Sequence, residues 1–398
     1  MTEARAVTVR LYGSPVGHLE ALGDAAETYR FEFAPEWLSR PDRPVLGQQF
    51  EDRQPGPLIF TNGGLPLWFR GLLPQGRLLR MLSRRWGLDP DDHLDLLIAL
   101  GADLPGAVTI NQTSRRHSAT DISPAPTSHP ADATDLQLSF SLTGAQWKLS
   151  VKPGERGLIV PVRGESGDWI AKLHDPEYPG LPHVEFNTAC WARAAGVHTP
   201  MFRMGHVDEF AHPLPVEIPT GDGHLFLSRR FDRNPVCHME DFAQILDRPD
   251  QQRGISEDVA AILALICPED LRAFVERLVF CVLSGNGDAH LKNWSLTYPD
   301  RLNGRLSPAY DLVSTVLFLP NDNLTLPIGG HRAFDHIDHH AFEPLARVTR
   351  HDFAEIGQWV REAAQRVRAA WLAEGGFDFT ASQKKSLEAH MARVPLVG

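Results

Sequence analysis

The sequence predicts an α+β chain in which a small mixed N-terminal unit precedes a strand-rich lobe and then a helical lobe. Three observations carry that expectation. Apolar and polar residues alternate with period two in AVTVRLYGSPVGHLEAL and again in short runs between residues 136 and 231. Helical spacing takes over after Met239, most clearly in LRAFVERLVFCVL, where Leu271, Phe274, Val275, Leu278, Val279 and Val282 fall on one face. At 398 residues the chain exceeds what one ordinary core organises, so two or three folded units are expected.

The elements follow in order. The first alternating stretch breaks at Gly-Ser-Pro, which reads as a hairpin turn, and RFEFAPEWL supplies a further strand. From Leu72 to Leu100 the spacing is helical, with Leu78, Leu79, Leu82 and Trp86 on one face and Leu94, Leu97 and Ile98 on the next. Residues 1–110 are therefore read as a small α+β domain. Residues 111–135, rich in Ser, Thr, Pro and Ala, bury too little apolar surface to order strongly and read as a linker. Residues 136–238 hold the strand-like runs LQLSFSL, KLSV, GLIVPV, DWIAKL and HLFLSRRF, interrupted by one helix from near Val184 to before Gly196. Residues 239–398 form the last, all-helical lobe, and no internal repeat or heptad run is present.

Composition narrows the function. The balance of 39 basic against 50 acidic residues, a formal charge of −11, argues against an unaided grip on nucleic acid through phosphate neutralisation. Any DNA role needs a basic partner. Cys190, Cys237, Cys267 and Cys281 form no CxxC pair, and MTEARAVTVR lacks the apolar core of a signal peptide, which together read as free thiols in a reducing cytoplasm. The longest apolar runs fall far short of the ~20 residues that span a bilayer, so no membrane segment is expected.

The stretch GNGDAHLKNWSL places Asp288 and Asn293 five positions apart in a polar loop after an apolar helix. Phosphoryl transfer asks a protein for a carboxylate to take the hydroxyl proton, hard oxygen ligands for magnesium, and cations on the phosphates. Asp288 and Asn293 reproduce the spacing of a kinase catalytic loop, Lys292 falls near the transferred phosphate, and Asp311 in SPAYDLVST supplies a second metal-ligating acid. In DWIAKLHD, Lys172 shares a strand face with Ile170, so the ammonium reaches phosphates while the apolar side chain covers a base; Glu185 is its ion-pair partner. Each residue alone has a blander explanation: a chance spacing, a solvated lysine tip, an acid complementing a helix dipole. In kinase order and on the right elements they predict a protein-kinase-like two-lobed fold binding ATP and Mg2+. His290 reads as support for the loop carbonyls, not as a general base.

Together with SLTGAQWKL, VEFNTACWARAAGV and RFDR, these stretches resemble the HipA-type serine/threonine kinase toxins nearly end to end. RFEFAPEWL, GLLPQGRLLRMLSRRWGL and LIALGADLPGAVTI are similar to that family's small N-terminal domain. The resemblance implies a protein kinase encoded beside a helix-turn-helix antitoxin (HipB-like) that binds it and operator DNA, with an aminoacyl-tRNA synthetase or other translation component as protein substrate. It implies Asp288 as catalytic base, Asn293 and Asp311 as magnesium ligands, and Lys172 with Glu185 at the phosphates. SLTGAQWKL corresponds to the phosphate-covering loop, in which backbone N–H groups of Thr143, Gly144, Ala145 and Gln146 cradle the nucleotide. Ser141 sits where some members autophosphorylate; a phosphate there adds nearly two negative charges and expels the loop, whereas the bland alternative is a hairpin turn with a surface serine. Two positions depart from the family pattern: Trp147 where an acid is common, and Arg229 before RFDR where a hinge glutamate is common.

Two other functions fit parts of the sequence: a small-molecule phosphotransferase of the aminoglycoside-kinase type, and a catalytically silent kinase fold serving as co-repressor for an antitoxin. HRAFDHIDHH, His331 to His340, fits no helical zinc spacing and reads as a polar surface loop, and Arg77, Arg80, Arg84 and Arg85 read as a solvated helix face.

Overall fold

In strand β1 (Ala6–Leu11) every second residue, Val7, Val9 and Leu11, is buried, so the alternation seen in the sequence becomes one inward face. A computed structural model describes residues 5–22, 28–51, 58–61, 64–101, 103–112, 147–161, 165–214, 218–248 and 254–396. LQLSFSL, Ser141 and residues 143–146 lie outside the described residues.

β1 pairs antiparallel with β2 (Ser14–Leu22), but the turn is Tyr12-Gly13, with φ of 49° and 77°, and Ser14 and Pro15 already belong to β2. A two-residue hairpin of this hand needs positive φ at both central positions, which moves the turn one step ahead of the expected Gly-Ser-Pro. With β3 (Thr28–Phe33), β4 (Leu58–Thr61) and β5 (Val108–Gln112) they form a sheet of order β4-β3-β2-β1-β5. Helices α1 (Gly76–Trp86) and α2 (His93–Leu100) complete this unit; Gly87, at φ 66°, ends α1, and the Asp92 carboxylate caps α2 by accepting from Asp95 N at 3.2 Å.

The second sheet, ordered β7-β6-β8-β10-β9, contains β6 (Lys148–Gly154), β7 (Gly157–Ile159), β8 (Trp169–Lys172), β9 (Phe202–His206) and β10 (His224–Arg229). β9 was passed over in FRMGH, where only Phe202 and Met204 alternate with polar residues before Gly205 and His206 end the apolar signal. Helix α3 (Leu181–Ala194) begins three residues before Val184, because Gly180 at φ 77° and Pro182 in the first turn set its start. One continuous apolar cluster joins the two sheets: Val7, Val9 and Phe31 of the first with Leu149, Val151, Ala171 and Leu225 of the second.

The helical lobe holds a separate cluster around α4 (Ser256–Ile266), α5 (Leu271–Ser284), α6 (Phe353–Ala373) and α7 (Ala381–Arg393), and Val184 and Trp191 of α3 belong to it. The apolar face of α5 is buried along its whole length. The lobe is helical as expected, and additionally carries a three-stranded sheet of β11 (His238–Asp241), β12 (Ser295–Tyr298) and β13 (Arg305–Leu306). Within HRAFDHIDHH, Phe334 and Ile337 are buried anchors between exposed histidines. No helix among the described residues is long and apolar enough to cross a membrane.

Two buried polar clusters fasten the N-terminal unit to the rest. Arg230 of RFDR donates to Asp103 at 2.7 Å and to Asp232 at 2.8 Å, while Arg233 donates to Asp232 at 2.7 Å and to the carbonyls of Leu104 and Gly106 at 2.8 Å. Glu240 accepts from Trp68 Nε1 at 3.0 Å, Gln48 N at 2.9 Å and Tyr298 Oη at 2.5 Å. Arg77 turns its charge inward, onto Asp175 at 3.2 Å, leaving Arg80, Arg84 and Arg85 on the solvated face.

Candidate active site

The C-terminal end of α5 sets the site. Gly285, at φ 65°, closes the helix in the left-handed region, and a Cβ on Gly287 would stand 2.1 Å from Asp322 Oδ2. Gly287 N donates to Thr315 Oγ1 at 2.8 Å, and that hydroxyl is bonded in turn to Asp322. The chain then enters the loop with Asp288 exposed, His290 half-buried, and Lys292 and Asn293 buried.

Asn293 Nδ2 donates to Asp288 O at 2.8 Å, which ties the two ends of the D-x-x-x-x-N spacing together and leaves the amide Oδ1 for another partner. The loop carbonyls are held from behind: the buried Arg277 guanidinium donates to Asn293 O and lies 4.2 Å over the Trp294 ring, and Tyr310 Oη donates to Lys292 O at 2.6 Å. His290 N donates to Asp288 O at 2.8 Å and His290 O accepts from Asn293 N at 2.9 Å, so this histidine shapes the loop through its backbone. Among the described residues it does not line the cleft between the lobes.

Lys172 is the meeting point of the two lobes. Its Nζ donates to Glu185 Oε1 at 2.9 Å and stands 2.6 Å from Asp311 Oδ1, with both Lys172 and Glu185 only 3% exposed. Burial lowers the pKa of this ammonium, but Asp311 and Glu185 outweigh burial and hold it above the ordinary lysine range. Burial likewise raises Asp311, yet Lys172 and Lys148 hold its carboxyl well below the usual range. Asp311 has φ 54°, a backbone conformation that costs a non-glycine residue about 1 kcal/mol or more and that functional sites keep.

Lys148 went unremarked in the sequence although it stands just after the glycine loop. Its Nζ lies 3.9 Å from Asp311 Oδ2, and burial lowers its pKa more than Asp311 raises it. The available signal was a lone lysine beginning the apolar run KLSV. Asp288 is open to solvent on one side but enclosed by protein on its others; that burial raises its pKa, with His290 opposing and Asp311 and Asp322 adding to the rise.

The interlobe cleft encloses about 1000 Å³ including its mouth. Ile170, Phe202, Phe226 and Leu312 give it an apolar wall, and Lys148, Lys172, Lys292 and Asp311 collect at its polar end. Ile170 and Lys172 share a face of β8 as the alternation requires. Arg229 leaves the cleft edge through its backbone, donating to Met201 O at 2.7 Å, while Ser228 and Arg230 line the cleft on either side. The donor set fits magnesium: Asn293 offers an amide oxygen and Asp311 a carboxylate, both hard oxygen ligands beside concentrated positive charge for phosphates.

A buried lysine–glutamate pair on the sheet lobe, met by Asp311 of the helical lobe at the polar end of one cleft, is the arrangement of a kinase. Residues 7–111 match the family model described as the HipA N-terminal domain, and residues 140–371 the model of the HipA-like C-terminal domain. The chain belongs to the HipA family of kinase toxins. It is 34% identical over 388 residues, 94% of this chain and 93% of the relative, to the putative kinase Y4dM of Sinorhizobium fredii. It is 23% identical to the serine/threonine-protein kinase toxin HipA of Shewanella oneidensis, covering 80% of this chain and 77% of that one. Its fold is that of a chain in the Shewanella oneidensis complex of HipA, HipB and operator DNA, with a TM-score of 0.71, 20% identity, and coverage of 98% and 97%.

Proposed function

We propose that the chain is a serine/threonine protein kinase that moves the γ-phosphoryl group of ATP to a protein serine and to its own Ser141. Growth stops until a helix-turn-helix antitoxin neutralises it. A translation component, an aminoacyl-tRNA synthetase foremost, is the expected substrate, in a cytoplasmic setting with DNA reached only through the antitoxin. The observation that carries the reading is Lys172 Nζ standing 2.9 Å from Glu185 Oε1 and 2.6 Å from Asp311 Oδ1, together with a loop that ties Asn293 to Asp288.

Asp288 orients the serine hydroxyl and takes its proton as the serine oxygen attacks the γ phosphorus and the bond to ADP breaks. Lys172 and Lys148 neutralise the phosphates, Glu185 fixes the Lys172 rotamer, and Lys292 meets the charge on the transferred group. Asn293 and Asp311 would hold Mg2+, which when bound neutralises charge on the phosphate oxygens. Residues 143–146 are proposed to cover the phosphates, with Ser141 phosphorylation as the off state.

Mass spectrometry of a lysate treated with ATP and either wild type or Asp288→Asn tests the reading. New phosphoserines on a small set of proteins should appear with wild type alone. Labelling that is equal for both proteins, or absent from every protein, contradicts it.

A further inference from the structure

Apart from the kinase cleft, the turn Gly221-Asp222-Gly223 between β9 and β10 brings a carboxylate against two imidazoles. We infer that His183, Asp222 and His224 form a binding site for one divalent transition-metal ion of the zinc type, which fastens the first turn of α3 to the β9–β10 hairpin. Nothing in the proposed kinase reaction uses these residues.

The distances suit the ion. Asp222 Oδ2 lies 3.5 Å from His183 Nε2 and 3.2 Å from His224 Nδ1, and the three donor atoms all fall within 4.8 Å of one another. A tetrahedral ion about 2.0–2.1 Å from each donor separates the donors by about 3.3–3.4 Å, so two of the three edges are already formed. The remaining edge closes by small rotations of two rings whose centroids stand 4.6 Å apart. Two imidazole nitrogens with one carboxylate oxygen select zinc, copper or nickel over magnesium and calcium.

The surroundings orient the donors. Asp222 Oδ1 accepts from His224 N at 3.2 Å, which turns Oδ2 toward both rings. His224 Nδ1 is a buried atom whose approach to Asp222 Oδ2, at 3.2 Å, is the polar contact it makes. Gly221 and Gly223, at φ 54° and 85°, bring the turn so close to the rings of His174 and His206 that a Cβ would stand 2.3 Å and 2.2 Å from them. The turn is thereby held from both sides. Asp222, 57% exposed, leaves the fourth coordination position to water. Its negative charge also offsets the partial positive charge at the start of α3, which by itself disfavours a cation there.

The consequence reaches the kinase site. His183 is two residues before Glu185 on α3, and β10 is the neighbour of β8, the strand of Lys172. An ion at the turn joins the helix of one partner to the sheet of the other.

The test uses the full-length protein, stripped with a chelator and titrated with Zn2+ alone by calorimetry, then with Co2+ to read the coordination spectroscopically. One ion per chain is expected, with at least tenfold weaker binding in His183→Ala and in His224→Ala. The His331→Ala/His340→Ala pair, on the other histidine-rich surface, should bind as wild type does. Zn2+ should also slow amide exchange over residues 181–187 and 220–226 in wild type and not in the His183→Ala/His224→Ala pair. Both rings are 44% exposed, so the variants should fold, and equal melting temperatures without metal check this. Absence of saturable Zn2+ binding, binding unchanged in the His183→Ala/His224→Ala pair, or binding lost with His331 and His340 instead would overturn the inference.

Discussion

Lys172 shows how one side chain organises a site from two lobes. It is buried, and its charge is acceptable there only because Glu185 and Asp311 both face it. Lys172→Met should therefore do more than weaken nucleotide binding: it removes the buried charge that both carboxylates face and should cost about 3–5 kcal/mol in urea unfolding. A variant as stable as wild type would contradict the buried pairing. Asp288 carries a pH prediction. Its pKa is raised above the ordinary aspartate value of 3.8, chiefly by burial, so the acid limb of the transfer rate should lie above that value, the rate falling as the carboxylate takes up its proton. A limb at or below 3.8 would remove Asp288 as the base. The pairing of Lys172 with Glu185 was legible because residue type and spacing encode it. Lys148 and Arg277 were not, since one needs the sheet to bring it to Asp311 and the other acts from behind the loop.

At the scale of elements, periodicity sufficed where an element buries one face along its length. LRAFVERLVFCVL is α5 almost residue for residue, while β9 and β12 depend on partner strands far away in sequence. The docking of the N-terminal unit on β11 is the extreme case. Gln48 and Glu240 meet across 192 positions, and no local pattern marks Glu240 as buried. Burial raises its pKa from 4.5 to about 7, against the hydrogen bonds from Tyr298, Trp68 and Gln48. The raised value fixes the sign: the stability linked to Glu240 is fully present below pH 4.5 and is lost as pH rises through about 7. Chemical unfolding should show on the order of 2–3 kcal/mol less stability on the alkaline side of that range, and Glu240→Gln should flatten the profile. An unchanged profile in Glu240→Gln would place the titration elsewhere.

For the whole molecule, the sequence divided the chain where the structure joins it. The N-terminal sheet and the kinase sheet bury one shared cluster, and the RFDR arginines cross the same boundary to Asp103, Leu104 and Gly106. Composition separates segments by local polarity and carries no information about which apolar faces meet, so this union was illegible. A chain beginning at residue 147 should consequently aggregate or unfold well below the full-length protein, and Arg233→Ala should lower stability by about 2–3 kcal/mol by removing one of the two guanidiniums that face the buried Asp103 and Asp232. A truncated chain that melts with the full-length protein would refute the shared core. Above all, Lys172, Glu185, Asp288, Asn293 and Asp311 are proposed to serve one nucleotide. Parallel measurement of Mg2+-ATP binding by calorimetry and of phosphoryl transfer from γ-labelled ATP addresses this most directly. Asp288→Asn should bind nucleotide nearly as wild type does while losing about 10²–10⁴-fold in transfer, and Lys172→Met and Asp311→Asn should lose both. Undiminished transfer by Asp288→Asn, or wild-type nucleotide affinity in Lys172→Met and Asp311→Asn, would contradict it.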